Sequence, residues 1–251
     1  MISLKNFLEE EPLSKSNYDS FEKDYQERLY LLFSEAKKQQ KGTLLIIEGF
    51  AGSGKGALLK VITSRLDPRK VKVHSFYPDH FPDYPLFYQF WQKLPSRGEL
   101  TIYEGSWYKK LINDHLHGST SKKKFSLHID HINETEEMLH QDGYLIFKFF
   151  LNIDSKTQEK RFEEAKNKGM KWMVSKYDSI EAKNFKETRE LYEICLSKTH
   201  FPNREWKILH SKNRYFTRAN VMESIIAEME EKLGFNSLEM METLKTKDLT
   251  A

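Results

Sequence analysis

Cysteine is almost absent from this sequence of 251 residues, since Cys195 is the only one. A single thiol excludes a disulfide within the chain and is typical of a reducing compartment. Cys195 lies in the apolar helical pattern Leu-Tyr-Glu-Ile-Cys-Leu, which favours a place in the core over a role as nucleophile. No run approaches the ~20 apolar residues of a membrane span, and no signal peptide is recognisable. We therefore expect a cytoplasmic protein that does not contact a membrane.

An excess of charge of one sign is absent as well. Lys and Arg number 40 and Asp and Glu 37, which leaves a formal net charge of +3 at pH 7. This balance gives no support for non-specific binding of nucleic acid, so local clusters of charge matter more. Hydrophobic residues make up 39% of the chain and charged residues 31%, as is typical of a soluble globular protein with a buried core.

Short apolar runs alternate with amphipathic patterns along the chain. Five runs predict β-strands, at 43–48, 71–76, 100–103, 145–153 and 206–210. Patterns with a helical period predict helices at 18–38, 57–66, 86–94, 125–141, 157–168, 180–198 and 217–233. Strands that alternate with helices form parallel βαβ units. The sequence therefore predicts an α/β fold with a mainly parallel five-stranded sheet covered by helices on both faces.

Glycine is scarce, at 11 residues, yet four glycines fall within residues 49–56. This stretch, Gly-Phe-Ala-Gly-Ser-Gly-Lys-Gly, follows the first predicted strand and opens a helical pattern. The spacing from Gly49 to Gly54 and Lys55 is that of a phosphate-binding loop (Walker A), in which backbone N–H groups and a helix start bind phosphate. Gly56 replaces the Ser or Thr that normally holds Mg²⁺. A tight strand-to-helix turn that needs small residues is the alternative.

Several segments resemble one family in the same order along the chain. The glycine-rich loop resembles the Gly-x-Asp-x-x-Gly-Lys-Gly loop of the polyphosphate kinase 2 family. Residues 103–108, Tyr-Glu-Gly-Ser-Trp-Tyr, are similar to its Phe-Asp-Arg-Ser-Trp-Tyr motif. Further matching segments lie at 66–73, 90–99, 142–149, 158–162 and 171–178. The resemblance covers about residues 20–233, and the ordered set is more specific than any single segment.

The resemblance implies a three-layer α/β/α P-loop kinase-like fold with a helical lid at about 156–180. It also implies a homo-oligomer (dimer or tetramer) that transfers phosphoryl groups between inorganic polyphosphate and AMP, ADP or a guanine nucleotide, with Mg²⁺ as cofactor. By matched position, Lys55, Glu104 and Arg161 would be catalytic, and Glu104 would also bind the metal. The residues expected to bind phosphate or nucleotide are Gly49, Gly52, Ser53, Gly54, Lys55, Gly56, Lys109, Lys110, Lys171 and Arg218.

Four positions depart from the family pattern. Ala51 replaces the aspartate inside the loop, Glu104 replaces the aspartate of the second motif, and Gly105 replaces the adjacent arginine. Met173 replaces a lysine of the lid. Since Mg²⁺ prefers carboxylate ligands, these changes leave a second hypothesis open, a non-catalytic homologue that binds polyphosphate or nucleotide as a regulatory subunit. A third is a kinase that transfers phosphate from ATP to a small molecule.

Three regions are expected along the chain. Residues 1–40 form an N-terminal helical extension that packs on the core or on a partner subunit. Residues 41–233 form the kinase-like domain, and the polar residues 234–251 form a flexible tail.

A few candidate residues have two interpretations. Trp107, Tyr108 and Trp172 would stack on a nucleobase or pack in the core, and we favour the core. His80, with two aspartates in the loop 79–84, is a weak candidate for a metal site, because the histidines show no zinc-ligand spacing.

Overall fold

The computed structural model describes residues 2–5, 12–76 and 84–248. In this part of the chain the strands are β1 (Thr43–Gly49), β2 (Val71–Ser75), β3 (Leu100–Glu104), β4 (Leu145–Asn152) and β5 (Trp206–His210). They form one parallel sheet in the order β2-β3-β1-β4-β5. Strands β1 and β4 lie next to each other in the interior of the sheet and are buried along their whole length. This is expected for parallel strands that are covered on both faces.

Helices cover both faces of the sheet. They are α1 (Lys15–Lys38), α2 (Lys55–Thr63), α3 (Tyr88–Trp91), α4 (Trp107–Leu116), α5 (Lys122–Gln141), α6 (Ser155–Asn167), α7 (Lys176–Lys183), α8 (Phe185–Lys198), α9 (Arg214–Leu233) and α10 (Ser237–Asp248). A short 3₁₀ helix, Lys171–Met173, lies between α6 and α7. Helices α1, α2 and α9 pack on one face of the sheet, and α4, α5 and α8 pack on the other.

The apolar run of β1 fills both cores, because successive side chains of a strand point to opposite faces. Leu45 and Ile47 pack with α1, α2 and α9, whereas Leu44 and Ile46 pack with α4, α5 and α8. The run is therefore continuously hydrophobic rather than alternating, as is typical of a central parallel strand. Its position fixes where the glycine-rich loop leaves the sheet.

The architecture confirms the α/β prediction, and all five predicted strands are present. Two helical predictions need correction, and one helix was missed. The helix predicted at 86–94 is limited to α3, and the one predicted at 180–198 begins earlier and is broken at Asn184 between α7 and α8. Helix α4 was not predicted. It begins after Ser106, whose side chain accepts a hydrogen bond from the Tyr108 N–H and caps the helix.

The C-terminal segment also differs from the prediction of a flexible tail. Its described part forms α10, which packs against α1. Met241 is buried, the Ser237 hydroxyl donates to Glu230, and Lys245 pairs with Asp24. A helix as polar as this one shows little amphipathic periodicity, so its sequence gave no helical signal. Among the described helices, none combines the length and apolar character needed to cross a membrane.

Candidate phosphate-binding site

The glycine-rich loop connects β1 to α2 at the carboxyl edge of the sheet, where ligands of parallel α/β folds bind. Gly49 runs so close to β4 that an added Cβ would collide with the carbonyl oxygen of Leu151. Gly54 has a φ of +99° and turns the chain into α2, whose first residue is Lys55. The loop therefore presents the unpaired N–H groups at the start of α2 at this edge.

Lys55 is buried, with 8% of its surface exposed, and its ammonium group bends back onto the loop. Its Nζ donates to the carbonyl oxygens of Gly49 at 2.7 Å and Phe50 at 3.0 Å. Burial lowers the pKa of Lys55, and so does the charge of Lys109, while nearby carboxylates oppose the shift. An ammonium group held by two neutral carbonyls can exchange them for the anionic oxygens of a ligand.

Glu48, which precedes the loop in β1, is completely buried. Its Oε1 accepts from the N–H and the hydroxyl of Ser106, both at 2.7 Å, and from the N–H of Lys109 at 3.3 Å. These donors lie at the start of α4, where the helix dipole favours a negative charge. Burial raises the pKa of Glu48, although Ser106, Lys55 and Lys109 limit the shift. Glu48 therefore ties β1 to α4 and places a carboxylate beside the loop.

The second motif begins at the end of β3, next to β1. The Ser75 hydroxyl donates to Oε2 of Glu104 at 2.8 Å, and a Cβ added to Gly56 would lie 3.8 Å from Oε1. Gly105 has a φ of +68°, and a Cβ there would lie 2.9 Å from Cδ of Lys109. The position that carries arginine in the family pattern is therefore closed to a larger side chain unless Lys109 moves and the backbone is strained.

A cavity of about 240 Å³ opens beside the loop, between α2, α6 and α9. The backbone of residues 52–54 forms part of its wall. Its charged lining residues are Arg161, Glu164, Lys168, Arg214 and Arg218. Four cations against one carboxylate leave an excess of three positive charges next to a helix N-terminus. Such a lining suits a polyanion.

Arg161 connects this cavity to the loop. One guanidinium N–H group donates to the carbonyl oxygen of Gly52 at 2.7 Å, and the other donates to those of Ser211 at 2.5 Å and Lys212 at 3.2 Å. The Ser211 hydroxyl in turn donates to the carbonyl oxygen of Ser53. Helix α6, the loop and the segment before α9 are thus joined by one set of hydrogen bonds.

The chain resembles proteins of one family over almost its whole length. A sequence model described as Polyphosphate kinase 2 (PPK2) matches residues 12–234. The chain belongs to the polyphosphate kinase 2 family. It is 25% identical over 225 residues to the polyphosphate:AMP phosphotransferase of Pseudomonas syringae pv. tomato, covering 87% of this chain and 45% of that protein. It is also 25% identical over 222 residues to ADP-polyphosphate phosphotransferase 3 of Rhizobium meliloti, covering 87% and 78%.

The length of these relatives varies, and the chain spans about half the length of the polyphosphate:AMP phosphotransferases of Pseudomonas syringae pv. tomato and Pseudomonas aeruginosa. The crystal structure of polyphosphate kinase 2 from Arthrobacter aurescens TC1 matches with a TM-score of 0.81 at 20% identity. The match covers 92% of this chain and 82% of that one. It shows that the polyphosphate kinase 2 fold is shared.

The basic residues predicted for the site of this polyphosphate kinase 2 chain lie in different surroundings. Lys109 Nζ is 3.8 Å from the carboxylate of Asp178. Burial alone would lower the pKa of Lys109, but the carboxylates around it outweigh burial and raise it. Lys110 is held by Asp114, one turn further along α4, rather than by the loop. Lys171 is exposed on the 3₁₀ helix. Phosphate binding by Lys109, Lys110 and Lys171 stays a prediction.

The three aromatic candidates separate into two groups. Trp107 and Tyr108 are buried and donate to Oε1 of Glu136 at 3.2 Å and 2.7 Å, which confirms their place in the core. Trp172 is 80% exposed, so the prediction of core packing was wrong for it. The segment 79–83, which includes His80, lies outside the described residues.

Two residues that contact the loop were not assigned a role from sequence. Oε1 of Glu181, in α7, accepts from the N–H of Ala51 at 2.6 Å, and Nε2 of Gln158, in α6, donates to the Ala51 carbonyl oxygen at 2.9 Å. Glu181 lies 130 positions from Ala51 in the chain, so no local pattern could indicate the contact. Gln158 was noted only as part of a matching segment.

Proposed function

We propose that this chain transfers phosphoryl groups between inorganic polyphosphate and a nucleoside mono- or diphosphate, with Mg²⁺ as cofactor. The observation that carries the proposal is the cationic cavity directly beside the phosphate-binding loop. A long chain of phosphates requires several cations in addition to the loop, because each phosphate unit brings a negative charge. The printed names of the relatives, polyphosphate:AMP phosphotransferase and ADP-polyphosphate phosphotransferase, support the same reaction.

In this proposal polyphosphate lies in the cavity and ends at the loop, and the nucleotide supplies the attacking oxygen. A phosphate oxygen of the nucleotide forms a bond to the terminal phosphorus while the bridging P–O bond breaks. The shortened polyphosphate leaves with the bonding electron pair. Lys55 gives up its carbonyl partners and neutralises the transferring group, and Arg161 holds the adjoining phosphates. Such transfer depends mainly on positioning and charge neutralisation, which are the properties that this set of cations provides.

Glu104 is the residue that we propose to hold Mg²⁺. In proteins this ion is bound through one or two carboxylates, water and substrate phosphates rather than by a complete protein cage. Glu104 fits that pattern, since its Oε1 lies beside the start of α2, where a bound phosphate would supply further oxygen ligands. The ion would neutralise charge on the phosphate oxygens.

Four finer points belong to the same proposal, and the printed names of the relatives support the first. The acceptor is AMP, ADP or a guanine nucleotide. The protein is cytoplasmic, and it works as a homo-oligomer, a dimer or a tetramer, without nucleic acid or membrane as partner.

The test is phosphoryl transfer by the purified chain, with long-chain polyphosphate, Mg²⁺ and a panel of AMP, ADP, GMP and GDP, resolved by chromatography. We expect a polyphosphate-dependent product that names the acceptor. Lys55→Met should lower the rate by a factor of about 10³ or more, since removal of a cation at the transferring phosphate has effects of that order. Lys60→Met, an exposed change on the same helix, is the matched control and should retain the rate.

Two other results would contradict the proposal. Binding of polyphosphate or nucleotide without any product would support a regulatory binding protein. Turnover with ATP and a small-molecule acceptor in the absence of polyphosphate would support an ordinary kinase.

A further inference from the structure

Both backbone polar atoms of Ala51 are bonded to side chains from helices α6 and α7. Its N–H donates to Oε1 of Glu181 at 2.6 Å, and its carbonyl oxygen accepts from Gln158 at 2.9 Å. Gln158 also donates to the same carboxylate oxygen of Glu181 at 3.3 Å. Glu181 is 4% exposed and Gln158 is 1% exposed, so the contact is sealed from water. Helices α6 and α7 therefore clamp the middle of the phosphate-binding loop.

The carboxylate of Glu181 carries a charge, although its hydrogen bonds with Ala51 and Gln158 need only a neutral acceptor. Burial raises the pKa of Glu181, while the positive charges of Lys109 and Lys55 lower it and Asp178 raises it. Burying a carboxylate is unfavourable unless opposite charges compensate it. A glutamine would accept the same bond from the Ala51 N–H without this desolvation. The carboxylate at this position therefore needs an explanation beyond folding.

We propose that Glu181 is a positioning residue for phosphoryl transfer, which holds the loop from α7 and balances the charges of Lys55 and Lys109. This inference rests on the proposed function. The carboxylate holds the Ala51 N–H and balances the two ammonium groups beside the loop. Without it, that N–H and those two charges would lose their partner.

The proposal also explains why residue 51 is alanine. A side-chain carboxylate at this position would begin at a Cβ about 2.5 Å from the backbone nitrogen. That nitrogen is 2.6 Å from Oε1 of Glu181, so the two carboxylates would lie within a few Å of each other. Like charges so close destabilise each other. Alanine at position 51 is therefore compatible with Glu181, and the carboxylate beside the loop comes from α7 instead of from the loop itself.

The experiment compares Glu181→Gln, Glu181→Ala, Ala51→Asp and the double variant Ala51→Asp/Glu181→Ala. Glu163→Gln, an exposed change on α6, is the control. Glu181→Gln should lower kcat about 10- to 100-fold with little change in either KM, as is typical when a residue that orients a site is altered. Ala51→Asp alone should lower kcat as well. The double variant should be faster than Glu181→Ala, because one carboxylate beside the loop is restored.

A second measurement does not depend on turnover. Hydrogen exchange of the peptide that contains Ala51 should be about fivefold faster or more in Glu181→Ala, which removes the acceptor, but nearly unchanged in Glu181→Gln. A wild-type chain without turnover would contradict the proposed function. The existence of the clamp is tested separately, by the hydrogen exchange of this peptide. Equal exchange in wild type and Glu181→Ala would show that no clamp exists.

Two kinetic results would overturn the inference while leaving the proposed function intact. The first is wild-type turnover by Glu181→Gln, which would show that the charge has no role. The second is a rise in activity for Ala51→Asp in the chain that keeps Glu181. It would show that the carboxylate of Glu181 does not occupy the position beside residue 51 during turnover.

Discussion

Two sets of buried charges lie beside the same sheet, and they are built differently. In the anchor pair, Glu136 and Lys148, the opposite charges touch, with Nζ 2.7 Å from Oε2. Lys148 also donates to the carbonyl oxygen of Thr199 at 2.7 Å, and Tyr108 and Trp107 donate to the other carboxylate oxygen. Both charged groups are completely enclosed, and each has the other as a direct partner.

In the loop cluster, Glu48, Lys55, Lys109 and Glu181, opposite charges lie near one another but are held largely by neutral groups. Lys55 donates to backbone carbonyls, Glu48 accepts from N–H and hydroxyl groups, and Glu181 accepts from a backbone N–H. Lys109 Nζ is 3.8 Å from the carboxylate of Asp178, longer than the contact in the anchor pair. These charges influence each other at a distance, as the directions of their pKa shifts indicate.

This difference in bonding partners distinguishes charges that stabilise the fold from charges that are available to a ligand. A direct buried ion pair cannot release one partner without leaving the other charge uncompensated, which costs several kcal/mol. A charge held by a carbonyl or an amide can take up the charge of a ligand and give up only a neutral partner. Perturbed charges of the second kind are therefore the better marker of a functional site.

The largest expected effect tests the anchor pair. Lys148→Met removes the cation bonded directly to the buried carboxylate of Glu136 and leaves the more distant Nε of Arg204, 4.0 Å away. It should lower the free energy of unfolding by about 3–5 kcal/mol. Lys55→Met should lower it less, because Nζ of Lys55 is bonded to two carbonyl oxygens rather than to a carboxylate, and Lys109 still compensates Glu48 and Glu181. Urea unfolding followed by circular dichroism measures both.

The double variant Glu136→Gln/Lys148→Met is the control for this comparison. It leaves no buried charge at the anchor pair and should recover much of the lost stability. If Lys148→Met and Lys55→Met destabilised the chain equally, the distinction between the anchor pair and the loop cluster would fail.

A smaller effect is expected in the cationic cavity. Arg214→Ala and Arg218→Ala should each raise the KM for polyphosphate about tenfold with little change in kcat, since a charge-assisted hydrogen bond contributes about 1.5–3 kcal/mol. The increase should shrink at high salt. Lys232→Ala, near the other end of α9, is the control. An unchanged KM in both arginine variants would show that polyphosphate does not bind in this cavity.

The sheet and the loop could be predicted because their signals are local. The apolar run from Leu44 to Ile47 fills two cores at once, so it is unbroken in sequence, and the glycines that follow it occur at fixed spacing. Gly49 and Gly54 are required by backbone geometry that other residues do not readily adopt. Local rules of this kind need no knowledge of the rest of the chain.

The clamp and the C-terminal helix could not be predicted for the opposite reason. Glu181 contacts Ala51 across 130 positions, and nothing in its own helix distinguishes it from a solvent-exposed glutamate. Helix α10 is stabilised by contacts with α1 and α9, such as the bonds of Ser237 to Arg28 and Glu230, rather than by its own pattern. Both features depend on partners that only the folded chain brings near.

The smallest expected effect concerns the pH dependence of stability. Burial raises the pKa of Glu181, so the folded chain binds a proton at this carboxylate more readily than the unfolded chain does. Its contribution to stability is therefore present below the unfolded pKa, about 4.3, and is lost as pH rises through the folded pKa. Because glutamine does not titrate, the Tm of Glu181→Gln minus that of wild type should increase as pH rises from about 4 to 7. The same difference for Glu163→Gln should stay flat. A difference for Glu181→Gln that shrinks with rising pH would mean that Lys55 and Lys109 more than offset the burial of the carboxylate, and the loop cluster would then resemble the anchor pair.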